Sequence, residues 1–221
     1  MLSIARITDG LYFVKQDKSI HPLSTSNGYL VDLSAFNSDQ LKVNRESVLI
    51  DVNLEEKGWV ALKEFCLKQD IPLPSKLFLS HCHLDHSSHA HFFSVLFNGE
   101  ILAPEPEVEV ILEHDGFFNV YQITEMKEFP ALLDSYHHLK YEILEFGIIP
   151  KSKITTFLPG EVFRYPGIEM KTIPLTTHSP GHVGILFSIP RDDLTIFHNS
   201  CLGLDHLKIS KEGIPKDGFG P

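Results

Sequence analysis

The chain reads as an α/β protein, one layered domain over residues 1–221. Three observations carry that reading. Short β-branched, aromatic and aliphatic runs bounded by Gly, Pro, Asn and Asp recur at both ends of the chain. Between them, apolar residues fall at helical spacing. The first hundred residues run strand, helix, strand, histidine-rich motif, helix, strand, the alternation of a layered α/β unit. At 221 residues and 43% hydrophobic content, the chain can bury one substantial core.

In chain order, residues 10–14, 28–33 and 47–52 read as strands, the third closing on Asp51. Trp59, Leu62 and Cys66 then recur at helical spacing, which makes Cys66 a core residue. Gln69-Asp70, Pro72 and Pro74 stop that helix, and 76–80 is the strand that delivers the histidine motif. Residues 87–97 read as a helix and 99–103 as a strand. In the helical middle section, 131–146 keeps Leu132, Tyr136, Leu139, Ile143 and Phe146 on one stripe, leaving His137 and His138 off its centre. From residue 154 the chain returns to strands at 154–158, 161–164, 168–173, 184–189 and 194–197. Pro159-Gly160, Pro166-Gly167 and Arg191-Asp192-Asp193 supply turns. Two β-rich halves thus face each other around a helical centre.

Behind the fourth strand stands Ser80-His81-Cys82-His83-Leu84-Asp85-His86. Extended backbone sends alternate side chains to one side, so His81, His83 and Asp85 share a face and Cys82 and Leu84 take the other, as core. His86 follows where a helix is about to begin. A lone histidine on an apolar face is usually packing, but three imidazoles and a carboxylate in six residues form a donor set. It suits zinc, or iron and manganese among harder ions. His89 and His91 read as surface residues or as support behind the ligands.

Other classes recede. The formal net charge is −10 with no cluster of Lys or Arg, which argues against nucleic acid. The first residues lack a basic flank before an apolar core, and no apolar run spans a bilayer, so no membrane partner and a cytoplasmic location are expected. Three cysteines, Cys66, Cys82 and Cys201, make a disulfide framework a poor reading. A small-molecule substrate remains, and a homodimer would not be surprising.

A catalytic metal needs donors from elsewhere in the chain. Thr177-His178-Ser179-Pro180-Gly181-His182 offers them: the Pro-Gly bend projects His182 toward the first motif, and His178 is read as a residue behind the ligands. Farther on, Ser200-Cys201-Leu202-Gly203 places a cysteine at a strand end, as core or as a thiolate ligand.

These residues carry a resemblance. His-x-His-x-Asp-His at 81–86, Ser-Pro-Gly-His at 179–182, the strand ending at Cys201, and the early Asn27-Gly28-Tyr29-Leu30 and Leu49-Ile50-Asp51 resemble the metallo-β-lactamase superfamily over most of the chain. The resemblance implies an αββα sandwich of two mixed β-sheets flanked by helices, with one or two metal ions at one edge. His81, His83 and His182 resemble the ligands of the first metal, Asp85 and His86 those of the second, and Asp51 a residue behind that site. The chain departs from the family at Asp51-Val52-Asn53 in place of Asp-Thr-Gly, and has no bridging Asp on the last strand. Either Ser200 takes that position and the second metal is weakened, or Cys201 does and binds zinc as a thiolate. Cys201 is the preferred register. The family's late His has no match, although His206 is a conceivable substitute. Phe219-Gly220-Pro221 resembles the opening of a further family segment, so C-terminal truncation is expected.

The implied activity is that of a zinc hydrolase in which zinc-bound hydroxide cleaves an ester, thioester or lactone in a small molecule, with Asp85 as the catalytic carboxylate. Two alternatives accompany it: an iron-dependent oxidoreductase of the same fold, and a catalytically impaired metal-binding protein.

Overall fold

A computed structural model describes residues 1–16, 25–36, 45–123, 130–138 and 147–201. Its strands are β1 (Leu2–Thr8), β2 (Leu11–Gln16), β3 (Gly28–Asp32), β4 (Ser47–Ile50), β5 (Pro74–Phe78), β6 (Glu100–Pro104), β7 (Ile154–Phe157), β8 (Val162–Tyr165), β9 (Ile168–Pro174), β10 (Val183–Ile189) and β11 (Leu194–His198). The helices are α1 (Glu56–Lys68), α2 (Leu84–Ser87), α3 (Ala90–Leu96), α4 (Glu109–Leu112), α5 (Gly116–Val120) and α6 (Pro130–His138). β1 to β7 form a seven-stranded sheet in chain order, and β11-β10-β9-β8 a four-stranded one.

Strand periodicity explains how the layers form. Along β4, Leu49 packs with the helices while Val48 and Ile50 face the other way, and β5 divides Leu77 from Phe78 in the same manner. One core therefore lies between the large sheet and the helices, around Trp59, Leu62, Phe93 and Phe118. The second lies between the sheets, where Ile50, Phe78 and Leu102 meet Met170, Ile185 and Phe187. A strand buried on both faces needs apolar residues at successive positions, as β4 and β5 have.

The predicted strands fall within two residues of observed ones. β1 was not anticipated, because as an edge strand it buries little and alternates with polar residues. The large sheet is mixed, antiparallel through β4 and parallel from β4 to β7. In the smaller sheet the four described strands pair antiparallel, because short connections fold each strand back on the last.

The expected helix over 87–97 is displaced and broken: α2 starts at Leu84, and the chain leaves helical geometry at His89 before α3. Tertiary hydrogen bonds hold the break, since the His89 N–H donates to Asn53 Oδ1 and Trp59 Nε1 donates to the His89 carbonyl. The helix expected over 131–146 is present as α6, and 139–146 lies outside the described residues, as do His206 and the C-terminal Phe219 to Pro221. Among the described residues no helix is long and apolar enough to cross a membrane.

Candidate metal centre

β5 ends at Phe78, two residues short of the expected Ser80, so the motif leaves the sheet edge as a loop. That loop carries His81 and His83, and the first turn of α2 carries Asp85 and His86. The common direction of His81, His83 and Asp85 thus arises from a loop entering a helix, where a strand had been expected. Cys82 and Leu84 point into the core as predicted.

Two donor groups form here. In the first, His81 Nε2 lies 3.1 Å from His83 Nδ1, His83 Nδ1 lies 2.9 Å from His178 Nε2, and His178 Nε2 lies 3.2 Å from His81 Nε2. In the second, His86 Nε2 lies 3.2 Å from Asp85 Oδ2 and 3.1 Å from Cys201 Sγ, with 3.7 Å between sulfur and carboxylate. Both have the size of a metal-ligand face: donors at zinc's usual nitrogen distance from a tetrahedral centre sit about 3.3 Å apart. His81 belongs to both groups, which places them side by side.

Electrostatics agrees with a cation at each group. Burial holds His81 well below the ordinary imidazole range and, with the neighbouring His178, brings His83 down to about 4. His178 is likewise lowered by burial. The three rings are therefore neutral at pH 7, with lone pairs available, as metal binding requires. At the second group burial disfavours a charged His86, but the Asp51 and Asp85 carboxylates outweigh it and raise the ring well above its usual value. Asp85 itself is lowered: burial works against its charge, and His86 more than compensates. This group retains positive charge when buried, and a metal at His86 Nε2 would supply it.

Three side chains hold the donors. Asp51, fully buried, accepts hydrogen bonds from the Ser80 N–H at 2.9 Å and Ser80 Oγ at 2.8 Å, and its Oδ2 lies 2.8 Å from His198 Nε2. His86 Nδ1 is 2.9 Å from the same oxygen, a close charge contact that lacks hydrogen-bond alignment, and it leaves Nε2 facing Asp85 and Cys201. Burial would raise the Asp51 carboxyl, but His86 and His198 hold it well below the carboxylate range. Carboxylates behind ligating imidazoles commonly fix ring orientation in this way. Asn53, where the family pattern has Gly, donates to the Asp85 carbonyl at 2.8 Å and accepts from His89, so it anchors α2 and α3. Glu107, also fully buried, accepts from the Cys82 N–H, Tyr121 OH, Ser179 Oγ and the Gly181 N–H.

Of the two histidines on this loop, His178 brings a ring nitrogen to His81 and His83, and His182 packs its ring against His81. The Ser179-Pro180-Gly181 bend sits on Glu107 and turns His182 inward, fully buried, with its ring 4.6 Å from that of His81 and neither nitrogen hydrogen-bonded among the described residues. His178 stays on the open side of the bend, where its nitrogen reaches His81 and His83. The turn after β11 places Cys201 Sγ among the donors of the second group, while Ser200 Oγ lies 2.7 Å from Ser80 Oγ and can donate to it. His198 and Glu107 were not singled out in the sequence. A lone Glu in a 3₁₀ turn and a His late in a strand carry no spacing pattern that would mark them. His89, expected at the surface or behind the ligands, is buried with its ring nitrogens unpaired among the described residues, and burial with the neighbouring His91 lowers it to about 4. His137 and His138 are exposed as expected.

No protein-family model and no curated protein matches the sequence. Solved structures do match. FEZ-1 metallo-β-lactamase from Legionella gormanii superposes with a TM-score of 0.56 at 16% identity over 88% of this chain and 61% of its own. MEM-A1, a subclass B3 metallo-β-lactamase from a soil metagenome library, gives 0.56 at 14% identity, over 88% and 60%. The chain has the metallo-β-lactamase fold. GOB-18 from Elizabethkingia meningoseptica gives 0.55 at 14% identity over 88% of this chain and 58% of its own. The chain spans about three fifths of the length of these neighbours. In this metallo-β-lactamase fold the candidate metal centre lies where the β5 loop, α2, the β9–β10 loop and the end of β11 converge.

Proposed function

We propose that the protein is a metal-dependent hydrolase acting on an ester, thioester or lactone in a small molecule, with zinc as its metal. The observation that carries this reading is the pair of adjacent donor groups, three imidazole nitrogens beside an imidazole, a carboxylate and a thiol. His81, His83 and His178 would hold one ion, and Asp85, His86 and Cys201 the other. Nitrogen with sulfur favours zinc over the harder ions. When bound, such an ion lowers the pKa of a water and polarises a carbonyl oxygen.

The chain's own residues orient and move protons. Asp85, on the first turn of α2, is ionised at neutral pH and belongs to the second group together with the shared His81, so its carboxylate orients the nucleophilic water and takes its proton. Asp51 and Glu107 are too deeply buried to touch a substrate, and act by holding the ligands.

The test combines metal analysis with a substrate panel. Wild-type protein is expected to carry two zinc ions per chain, and Cys201→Ala one. Zinc-loaded protein is assayed against ester, thioester, lactone and β-lactam substrates. No hydrolysis of any of them would sink the proposal, and iron in the purified protein with oxygen consumption would favour the oxidoreductase reading.

A further inference from the structure

We propose that Glu107 is a positioning residue for the three-nitrogen group, a single buried carboxylate that sets the spacing between the loop bearing His81 and His83 and the loop bearing His178. The inference rests on the metal reading above and adds to it the device that sets the first group.

Glu107 lies in the 3₁₀ turn that directly follows β6, whose Ile101 and Ala103 are fully buried, so its backbone is anchored to the core. Its Oε2 accepts from the Cys82 N–H at 2.7 Å, and Cys82 is the residue between His81 and His83. The same oxygen accepts from Tyr121 OH at 2.8 Å, and the Tyr121 ring lies 4.7 Å from that of His83. Its Oε1 accepts from Ser179 Oγ at 2.5 Å and from the Gly181 N–H at 2.7 Å, both in the loop that begins at His178. A Cβ at residue 181 would come within 2.9 Å of Pro104 Cβ and 3.1 Å of Glu107 Cγ, so glycine lets this loop sit directly on the strut. One oxygen therefore serves each loop.

The chemistry requires a carboxylate. Two of the four donors are backbone N–H groups, one at each oxygen, and an N–H can only donate. An amide presents an acceptor at one end and a donor at the other, so glutamine in either orientation sets an N–H against an N–H at one of the loops. The other buried carboxylate, Asp51, bonds Ser80 and His198 and contacts His86, and among the described residues it shares no hydrogen-bond partner with Glu107. Loss of Glu107 should therefore act on one group and spare the other.

The experiment is a Co²⁺ titration of metal-free full chain, wild type against Glu107→Gln. The Cys201 group is read by its thiolate-to-cobalt charge-transfer band, and the all-nitrogen group by the ligand-field bands that appear without it. The expected result is about tenfold to a hundredfold weaker binding at the all-nitrogen group, the range for lost support behind ligands, with unchanged affinity in the thiolate band. Equal weakening of both groups, or of neither, overturns the proposal. If wild type binds no cobalt, the metal reading itself fails and the proposal with it. Should Glu107→Gln not fold, Tyr121→Phe and Ser179→Ala each remove one donor and keep both backbone bonds. A smaller loss confined to the all-nitrogen group supports the strut, and unchanged binding in both variants overturns it.

Discussion

Asp85 and the paired histidines of the β9–β10 loop carry the sharpest residue-scale consequences. Asp85 is the only carboxylate among the donors of the two groups in the described residues. Replacing it with asparagine keeps the shape and removes the base, so turnover should fall about 100-fold to 10,000-fold in steady-state assays with the substrate found by the panel. His178→Ala should remove one zinc per chain by elemental analysis. His182→Ala should leave the zinc count unchanged, because His182 lies outside both groups of mutually close donors. The sequence marked this loop, expecting His182 among the ligands and His178 behind them, and both rings lie against that of His81. Spacing places His178 and His182 on either side of a bend, but the seat of that bend on Glu107 decides which ring turns inward, and Glu107 lies some seventy residues away in sequence.

At the scale of the element, the histidine motif shows how local pattern and tertiary contact divide the work. Alternation predicted that Cys82 and Leu84 would be buried, and they are. It also predicted a strand through Ser80, whereas the chain leaves the sheet at Phe78 and re-enters regular structure as α2. Hydrogen bonds from distant residues impose this, with Asp51 taking the Ser80 N–H and Glu107 the Cys82 N–H in place of a neighbouring strand. β3 shows the opposite case of close sheet packing. A Cβ at Gly28 would lie 2.0 Å from the Ile50 carbonyl oxygen and 2.8 Å from Val52 Cγ2. Gly28→Ala should therefore destabilise the fold by about 1–3 kcal/mol through overpacking, read as a lower denaturation midpoint in urea.

Across the whole molecule, two cores share one sheet, and the donors gather at the edge of that sheet from four separate segments. Metal binding to a site present only in the folded chain adds to its stability. At free zinc 100-fold above the dissociation constant the gain is about 2.7 kcal/mol, so chelation should lower the thermal midpoint by roughly 5–10 °C. Thiol accessibility gives an independent check. Cys66 and Cys82 are fully buried, and burial with the Asp32 charge pushes the Cys66 thiol up to about 12. A thiol whose pKa is raised stays protonated at pH 8 and is a poor nucleophile. Metal-free native protein should thus titrate one reactive thiol, Cys201, with a disulfide reagent at pH 8, and three after denaturation.

The α/β class, the strand positions and the cluster from His81 to His86 were legible in the chain alone. Each is a local pattern, a period of two, a helical stripe or a run of donors within six residues, and local patterns survive without knowledge of the fold. The break at His89, the approach of His178 to His81 and His83, the entry of Cys201 beside Asp85 and the two carboxylate struts were settled only when distant segments packed together. Their physical cause is satisfaction of buried polar groups. Asp51, Asn53 and Glu107 each collect hydrogen bonds from separate parts of the chain, and one-dimensional spacing contains no record of which donors a buried carboxylate or amide will find.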